Sequence, residues 1–190
     1  MSVIEFSSSD KPYFELSNFY YHKTPLVYLG RTYDTSEHLY QSLKYCDSLN
    51  PRSLAYAEII RTASTPGIAK RIANKHTYPI TEDMPGWQRD VNNIIQQYDD
   101  VLADQSWINN LEPISINNTG NNVKAMKICL NTKFSQDKHC LGVLMSTHGR
   151  DIREYSQHDS YWGCGPDRNG HNILGQMLMK LRDATYARNY

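Results

Sequence analysis

Proline is tolerated in a helix only within its first turn, so a capping side chain set directly before a proline marks a helix start. This chain has two such pairs, Asn50 with Pro51 and Thr65 with Pro66. They predict short helices from about Pro51 to Ala63 and from Pro66 to Asn74. Upstream, Thr35 or Ser36 can cap the segment TSEHLYQSLKYC, in which Leu39, Leu43 and Cys46 recur at helical spacing. Downstream, Val91, Ile94, Ile95, Tyr98 and Leu102 follow an amphipathic helical period within Trp87 to Leu102. Val123, Met126, Leu130 and Phe134 mark another helix, and Leu141, Leu144 and Met145 a short one. Leu174, Met177, Leu178 and Leu181 form the stripe of a closing helix that begins near Asn172. Before residue 35 the signals differ. Short β-like runs occur at Val3 to Phe6, Tyr20 to His22 and Leu26 to Leu29, the last followed by a Gly30 turn into Thr32 and Tyr33. The expected fold is mainly α, a compact single domain over residues 1–190 with a few short N-terminal β-strands. Residues 112–122, rich in Asn, read as a loop or a helix-entry segment.

Composition narrows the partners. Lys plus Arg and Asp plus Glu each number 20, so the chain lacks the overall positive field that draws proteins to nucleic acid or anionic membranes. Any such contact must be local. No apolar run approaches the roughly 20 residues of a membrane helix. The opening MSVIEFSSSDKPYFEL has no positive region followed by an apolar block, so a secretory signal is not expected and the cytoplasm is. Cys46, Cys129, Cys140 and Cys164 lie far apart without CxxC spacing, which favours reduced thiols over a disulfide framework or zinc site. The 14 tyrosines lean toward an aromatic pocket for a polar ligand.

Two constellations can carry chemistry. Glu37, Gln41 and Lys44 stand at i, i+4 and i+7, so a helix brings carboxylate, amide and ammonium onto one stripe. That stripe reads either as a solvated, helix-stabilising face or as a site, and periodicity does not choose. Residues 159–175, DSYWGCGPDRNGHNILG, crowd glycines, amides and charges before the last helix. Such a loop either receives phosphate and sugar hydroxyls or is a structural turn with Asn172 as N-cap. It lacks dinucleotide and P-loop glycine spacing. His38, His158 and His171 show no metal-ligand spacing, and neither metal nor cofactor is expected. Cys164 reads as a packed thiol rather than a nucleophile, and Lys70, Arg71 and Lys75 as a solvated helix face.

The motifs LSNFY at 16–20, TSEHLYQSLKY at 35–45, TPGIAKRIANK at 65–75, TKF at 132–134 and DSYWGCGPDRNGHNILGQMLMKLR at 159–182 together resemble, in order, the series of the NADAR superfamily, also called YbiA-like proteins. The resemblance runs from about Phe6 to Arg182. It implies a compact, largely helical fold and an N-glycosidase or ADP-ribosyl-hydrolase activity. The implied substrates are ADP-ribose on guanine bases of nucleic acid or phosphoribosylamino-pyrimidine intermediates of riboflavin synthesis. A non-catalytic ADP-ribose or NAD binding module is the alternative of a different class. Carried over residue by residue, the resemblance implies catalytic roles for Glu37, Lys44 and Asp159. It implies ligand contacts from Asn18, Phe19, Gln41, Arg71, Trp162, Gly163, Gly165, Asn172 and Gly175. Two departures stand out: Cys164 occupies a position where family members often carry Asp, and the segment between Trp87 and Val123 is longer by about one helix.

Overall fold

The computed structural model describes residues 2–8, 12–46, 49–103, 107, 116–117 and 120–189. Strand β1 (Val3–Phe6) opens the chain, and a short 3-10 turn at Phe14–Leu16 follows. Strands β2 (Leu26–Tyr28) and β3 (Arg31–Tyr33) form the expected hairpin. Its two turn residues, Leu29 at φ 49° and Gly30 at φ 75°, both adopt the positive φ that a tight two-residue hairpin loop demands. The helices are α1 (Ser36–Leu43), α2 (Pro51–Arg61), α3 (Pro66–Ala73), α4 (Gly86–Gln97), α5 (Asn121–Gln136), α6 (Lys138–Ser146) and α7 (Ile173–Asn189), with strand β4 (Asp151–Glu154) between α6 and α7.

The caps work as the sequence implies. Thr35 Oγ1 accepts the His38 amide, Asn50 Oδ1 the Arg52 and Ser53 amides, and Thr65 Oγ1 the Ile68 amide, so three orphan helix starts are satisfied by side chains. Three expectations differ. Tyr20 to His22 is not a strand: the His22 amide donates to the Asp34 carbonyl, and the segment turns away to bury His22. The helix expected over Trp87 to Leu102 ends at Gln97, leaving Leu102 74% exposed while Val91 and Ile95 are buried. The third is β4, which pairs in parallel with β1 in the register Val3 with Asp151 through Phe6 with Glu154. No local signal announces so distant a partner. Most of residues 112–122 lie outside the described residues.

Two apolar clusters fill the interior. The larger gathers Phe6, Leu16, Leu39, Ile152, Leu174 and Leu178 around α5; the smaller joins α2, α3 and α4 through Tyr56, Ile60, Ile72 and Ile95. Each such side chain removed from water contributes about 1.5–3 kcal/mol before entropy is counted. Helix α1 packs on α2, α3 and α5, so its polar stripe faces the junction of the two clusters rather than solvent.

Candidate active site

Helix α1 is tied at its first turn to the loop before it: the Glu37 amide donates to the Asn18 carbonyl at 2.9 Å. That loop is held from the other side by Lys133 of α5. Lys133 is fully buried, and its Nζ donates to the Ser17 carbonyl at 2.7 Å, which explains the TKF motif as a strut under Asn18 and Phe19. His38 is a structural residue, buried, with Nδ1 at 2.8 Å from Thr35 Oγ1 and Nε2 at 3.0 Å from the Ala63 carbonyl.

A cavity of about 200 Å³ opens above this frame. Glu37 and Gln41 of α1 line it together with Lys44, which caps the helix, and Asn18 and Phe19 enter from the loop. Asp159 and Trp162 come from the glycine-rich segment. The reading of Glu37, Gln41 and Lys44 as a solvated face is therefore ruled out: Glu37 is 5% and Gln41 2% exposed. Gln41 Nε2 donates to Glu37 Oε1 at 2.7 Å, and Lys44 Nζ to Asn74 Oδ1 at 2.6 Å. Asp159 Oδ1 accepts the amides of Tyr161 and Trp162 at 2.9 and 2.8 Å, fixing that carboxylate and the Trp162 ring beside it. Tyr40 meets Trp162 edge to face at 5.7 Å. Two buried acceptors of this lining, Asn18 Oδ1 and Gln41 Oε1, have no hydrogen-bond partner among the described residues.

Burial dominates the electrostatics. It raises the Glu37 carboxyl above its ordinary range, against the opposing pull of Lys70, the Gln41 hydrogen bond and Lys44, and with reinforcement from Asp159. It lowers the Lys44 ammonium to about 8, with Lys70 adding to the shift and Glu37 resisting it.

The remaining expected contacts do not line the cavity. Arg71 borders the outer groove that adjoins the cavity at Lys70, Asn74 and Asp159. Its guanidinium donates to the His76 and Thr77 carbonyls at 3.1 and 3.2 Å and lies 3.8 Å from the Tyr78 ring. Lys70, one residue earlier and so about 100° around the helix, stands exposed at the cavity mouth instead. Gly163, Gly165, Asn172 and Gly175 form a clasp on β4 behind the cavity wall. Asn172 stands at the N-cap position of α7, its carbonyl accepting the Gln176 amide, but its side chain does not cap the helix: Oδ1 accepts the Glu154 amide at 3.0 Å and Nδ2 donates to the Ile152 carbonyl at 2.8 Å. A Cβ on Gly175 would stand 2.3 Å from the Ile152 oxygen, and one on Gly163 2.8 Å from the Glu154 oxygen. Gly165 takes φ 71° in the turn between them. Cys164 is a buried thiol pushed up mainly by burial, and its amide donates to the Glu154 carbonyl at 2.8 Å.

Sequence reasoning missed Glu154 and Asn74 and reads Lys70 as a solvated helix face or a local nucleic-acid contact, yet all three line the cavity, as do Tyr40, Met126 and Leu174. For Glu154 the only available signal is its place at the end of a strand whose partner lies at the other end of the chain. Among the described residues, one trio of ligand-type side chains is gathered elsewhere, His22, Asp137 and Cys140, within 4.8 Å of one another. Its groups already serve the fold: His22 Nδ1 is 2.7 Å from Asp137 Oδ2, and Asp137 Oδ1 caps α6 through the Cys140 amide at 3.0 Å.

Comparison with known proteins places this arrangement. A family model for the NADAR domain matches residues 115–185. N-glycosidase YbiA of Escherichia coli is 27% identical over 96% of this chain and 88% of its own length. Riboflavin biosynthesis protein PYRR, chloroplastic, of Zea mays is 28% identical over 80% of this chain, a span that covers 19% of that protein. The NMR structure of the E. coli protein YbiA superposes with a TM-score of 0.61 and 26% identity, covering 98% of this chain and 86% of that one. Residues 115–185 thus match the NADAR domain model, and nearly the whole chain is similar to YbiA in sequence and fold.

Proposed function

We propose that this chain is an N-glycosidase that hydrolyses an N-ribosyl bond, removing ADP-ribose from modified guanine in nucleic acid. The observation that carries the reading is the convergence of Glu37, Lys44, Asp159 and Trp162 on one cavity whose buried acceptors Asn18 Oδ1 and Gln41 Oε1 are unpartnered. Unpartnered buried acceptors are costly, and the hydroxyl donors of a ribose supply what they lack. Beside Lys70, Asn74 and Asp159 the cavity meets an outer groove of about 800 Å³ bordered by Arg71, His76 and His158, which suits the phosphates of a diphosphate-bearing substrate. The names of the YbiA relatives support the glycosidase class.

Breaking the N-glycosidic bond requires stabilising positive charge at the anomeric carbon and removing the base. In this reading Asp159, already anchored through Oδ1, offers its second oxygen to the ribose or to that charge, and Trp162 stacks on the sugar or base. Glu37 handles protons. Lys44 acts as electrostatic partner or as nucleophile. With a pKa of about 8, about a tenth of its amine is neutral at pH 7, enough to attack a ring-opened sugar aldehyde.

The second reading keeps the chemistry and changes the substrate to a phosphoribosylamino-pyrimidine. The riboflavin-biosynthesis names of some relatives and the zero net charge favour it. Incubating the protein with an ADP-ribosylated guanine oligonucleotide and, separately, with the pyrimidine intermediate, then quantifying released base, tests both. Release from the first alone supports the main reading. Release from the second alone replaces it, and tight binding without release from either makes the chain a binding module.

A further inference from the structure

We propose that Glu154 is the acid that delivers a proton to the departing base, a role that rests on the glycosidase reading above. Among the described residues the cavity holds three carboxyl groups, and their hydrogen bonds divide the labour. Glu37 Oε1 accepts the Gln41 amide, and Asp159 Oδ1 accepts two backbone amides, bonds that favour the charged form of each. The Glu154 carboxyl receives no hydrogen bond from any described residue, although its backbone is fixed at both ends: its amide donates to Asn172 Oδ1, and its carbonyl accepts the Cys164 amide. It is thus an unengaged carboxyl carried on a rigid strand end. This also gives the glycine and asparagine clasp a task, since Asn172 and Gly163 set the position of Glu154 rather than touch a ligand.

The surrounding charges agree. Glu37 and Lys44 face the cavity from α1, Lys70 from α3 and Asp159 from the loop after β4; α5 and α7 contribute only Met126 and Leu174, and β1 sets Phe6 opposite Glu154. Three carboxylates against two ammonium groups in about 200 Å³ are relieved by one retained proton. Burial, then Asp159 and Glu37, push the Glu154 carboxyl up to about 8, against Lys70.

In the step itself the bond between C1′ and the base nitrogen breaks and its electron pair moves onto the base. The proton of Glu154 transfers to the base, which leaves neutral, and Glu154 becomes a carboxylate. Water forms the new bond to C1′ and gives its proton to Glu37; Glu37 then releases that proton to solvent and Glu154 regains one through the cavity mouth, so the net change is one water consumed.

The test compares wild type with Glu154→Gln, which keeps the shape and removes the transferable proton. Base release from the preferred substrate should fall by about 10²–10⁴-fold, with the alkaline limb of the kcat/KM profile lost and the affinity for free ADP-ribose changed less than about threefold. Release within about threefold of wild type, with the alkaline limb intact, overturns the proposal. In parallel, ¹³C NMR of Glu-labelled protein follows the side-chain carboxyls with pH. A resonance titrating near 8 and missing from Glu154→Gln is expected; a Glu154 resonance titrating below 5 contradicts the proposal even if the variant fails to fold. Should wild type release no base from either substrate, the glycosidase reading and this acid role fall together. A titration near 8 would then leave Glu154 as a buried proton holder without that reaction.

Discussion

At Lys44 the proposed chemistry comes with a cost in stability. Its ammonium is mostly removed from water and bonded to Asn74, and burial holds its pKa at about 8, below the ordinary lysine value. A lysine whose folded pKa is lowered weakens the fold wherever it must stay charged, that is below about 8, and the deficit fades as pH rises toward the unfolded value. Lys44→Met should therefore raise Tm by about 2–4 °C at pH 7, on the order of 1 kcal/mol, while base release disappears. An unchanged or lower Tm in differential scanning calorimetry, or a fully active variant, would contradict this account. Borohydride reduction in the presence of substrate separates the two routes open to this lysine: a sugar adduct on Lys44 marks the imine, and no adduct marks electrostatic assistance.

At the scale of elements, the piece that positions the chemistry is the clasp between β4 and the start of α7. Asn172 sits at φ 50° and makes both side-chain bonds to β4. Asn172→Ala loses the two bonds and keeps the strained backbone, whereas Asn172→Gly loses the bonds and relieves the strain. Urea unfolding should find the glycine variant more stable than the alanine variant by about 1 kcal/mol, both falling below wild type. Gly175→Ala forces a Cβ against the Ile152 carbonyl and should cost about 1–3 kcal/mol. If Gly175→Ala matches wild type, β4 is not held in the way described.

This element also marks the boundary of what the sequence could say. Caps at Thr35, Asn50 and Thr65 and the Gly30 turn are local chemistry, so the helices and the hairpin were legible. The stripe of Glu37, Gln41 and Lys44 was legible as a stripe, but its direction depends on α2, α3 and α5 packing around it. A glycine needed for close approach looks the same whether the neighbour is a ligand or a strand, so the sequence does not reveal that Gly163 and Gly175 pack against β4. Arg71 and Lys70 differ by one helical step, finer than periodicity resolves. Glu154 was invisible because the parallel pairing of β4 with β1 joins residues about 150 positions apart.

At the scale of the whole molecule, the buried titratable groups give stability a distinct pH dependence. Glu37 and Glu154 have raised folded pKa values, so their contribution is complete below the unfolded carboxyl range and is lost as pH climbs, for Glu154 through about 8. Asp137 has the opposite sign. Burial would raise it, yet hydrogen bonds with His22 and Cys140 hold it at about 2, so its contribution is lost only as pH falls below 3.8 toward that value. Lys133, lowered to about 8 chiefly by burial, recovers its share only above that pH. Tm should thus decline from about pH 5 to pH 8, and Glu154→Gln should flatten much of the decline. Parallel curves for the two proteins across that window would show that Glu154 does not carry the proton.

The claim beneath all of these is that a ribose sits among Glu37, Lys44, Glu154 and Asp159. Determining the structure with ADP-ribose bound tests it most directly. The account predicts the anomeric carbon within about 3.5 Å of at least one of these side chains, with the sugar hydroxyls on Asn18 Oδ1 and Gln41 Oε1. A ribose seated elsewhere, with this cavity left to solvent, would contradict it.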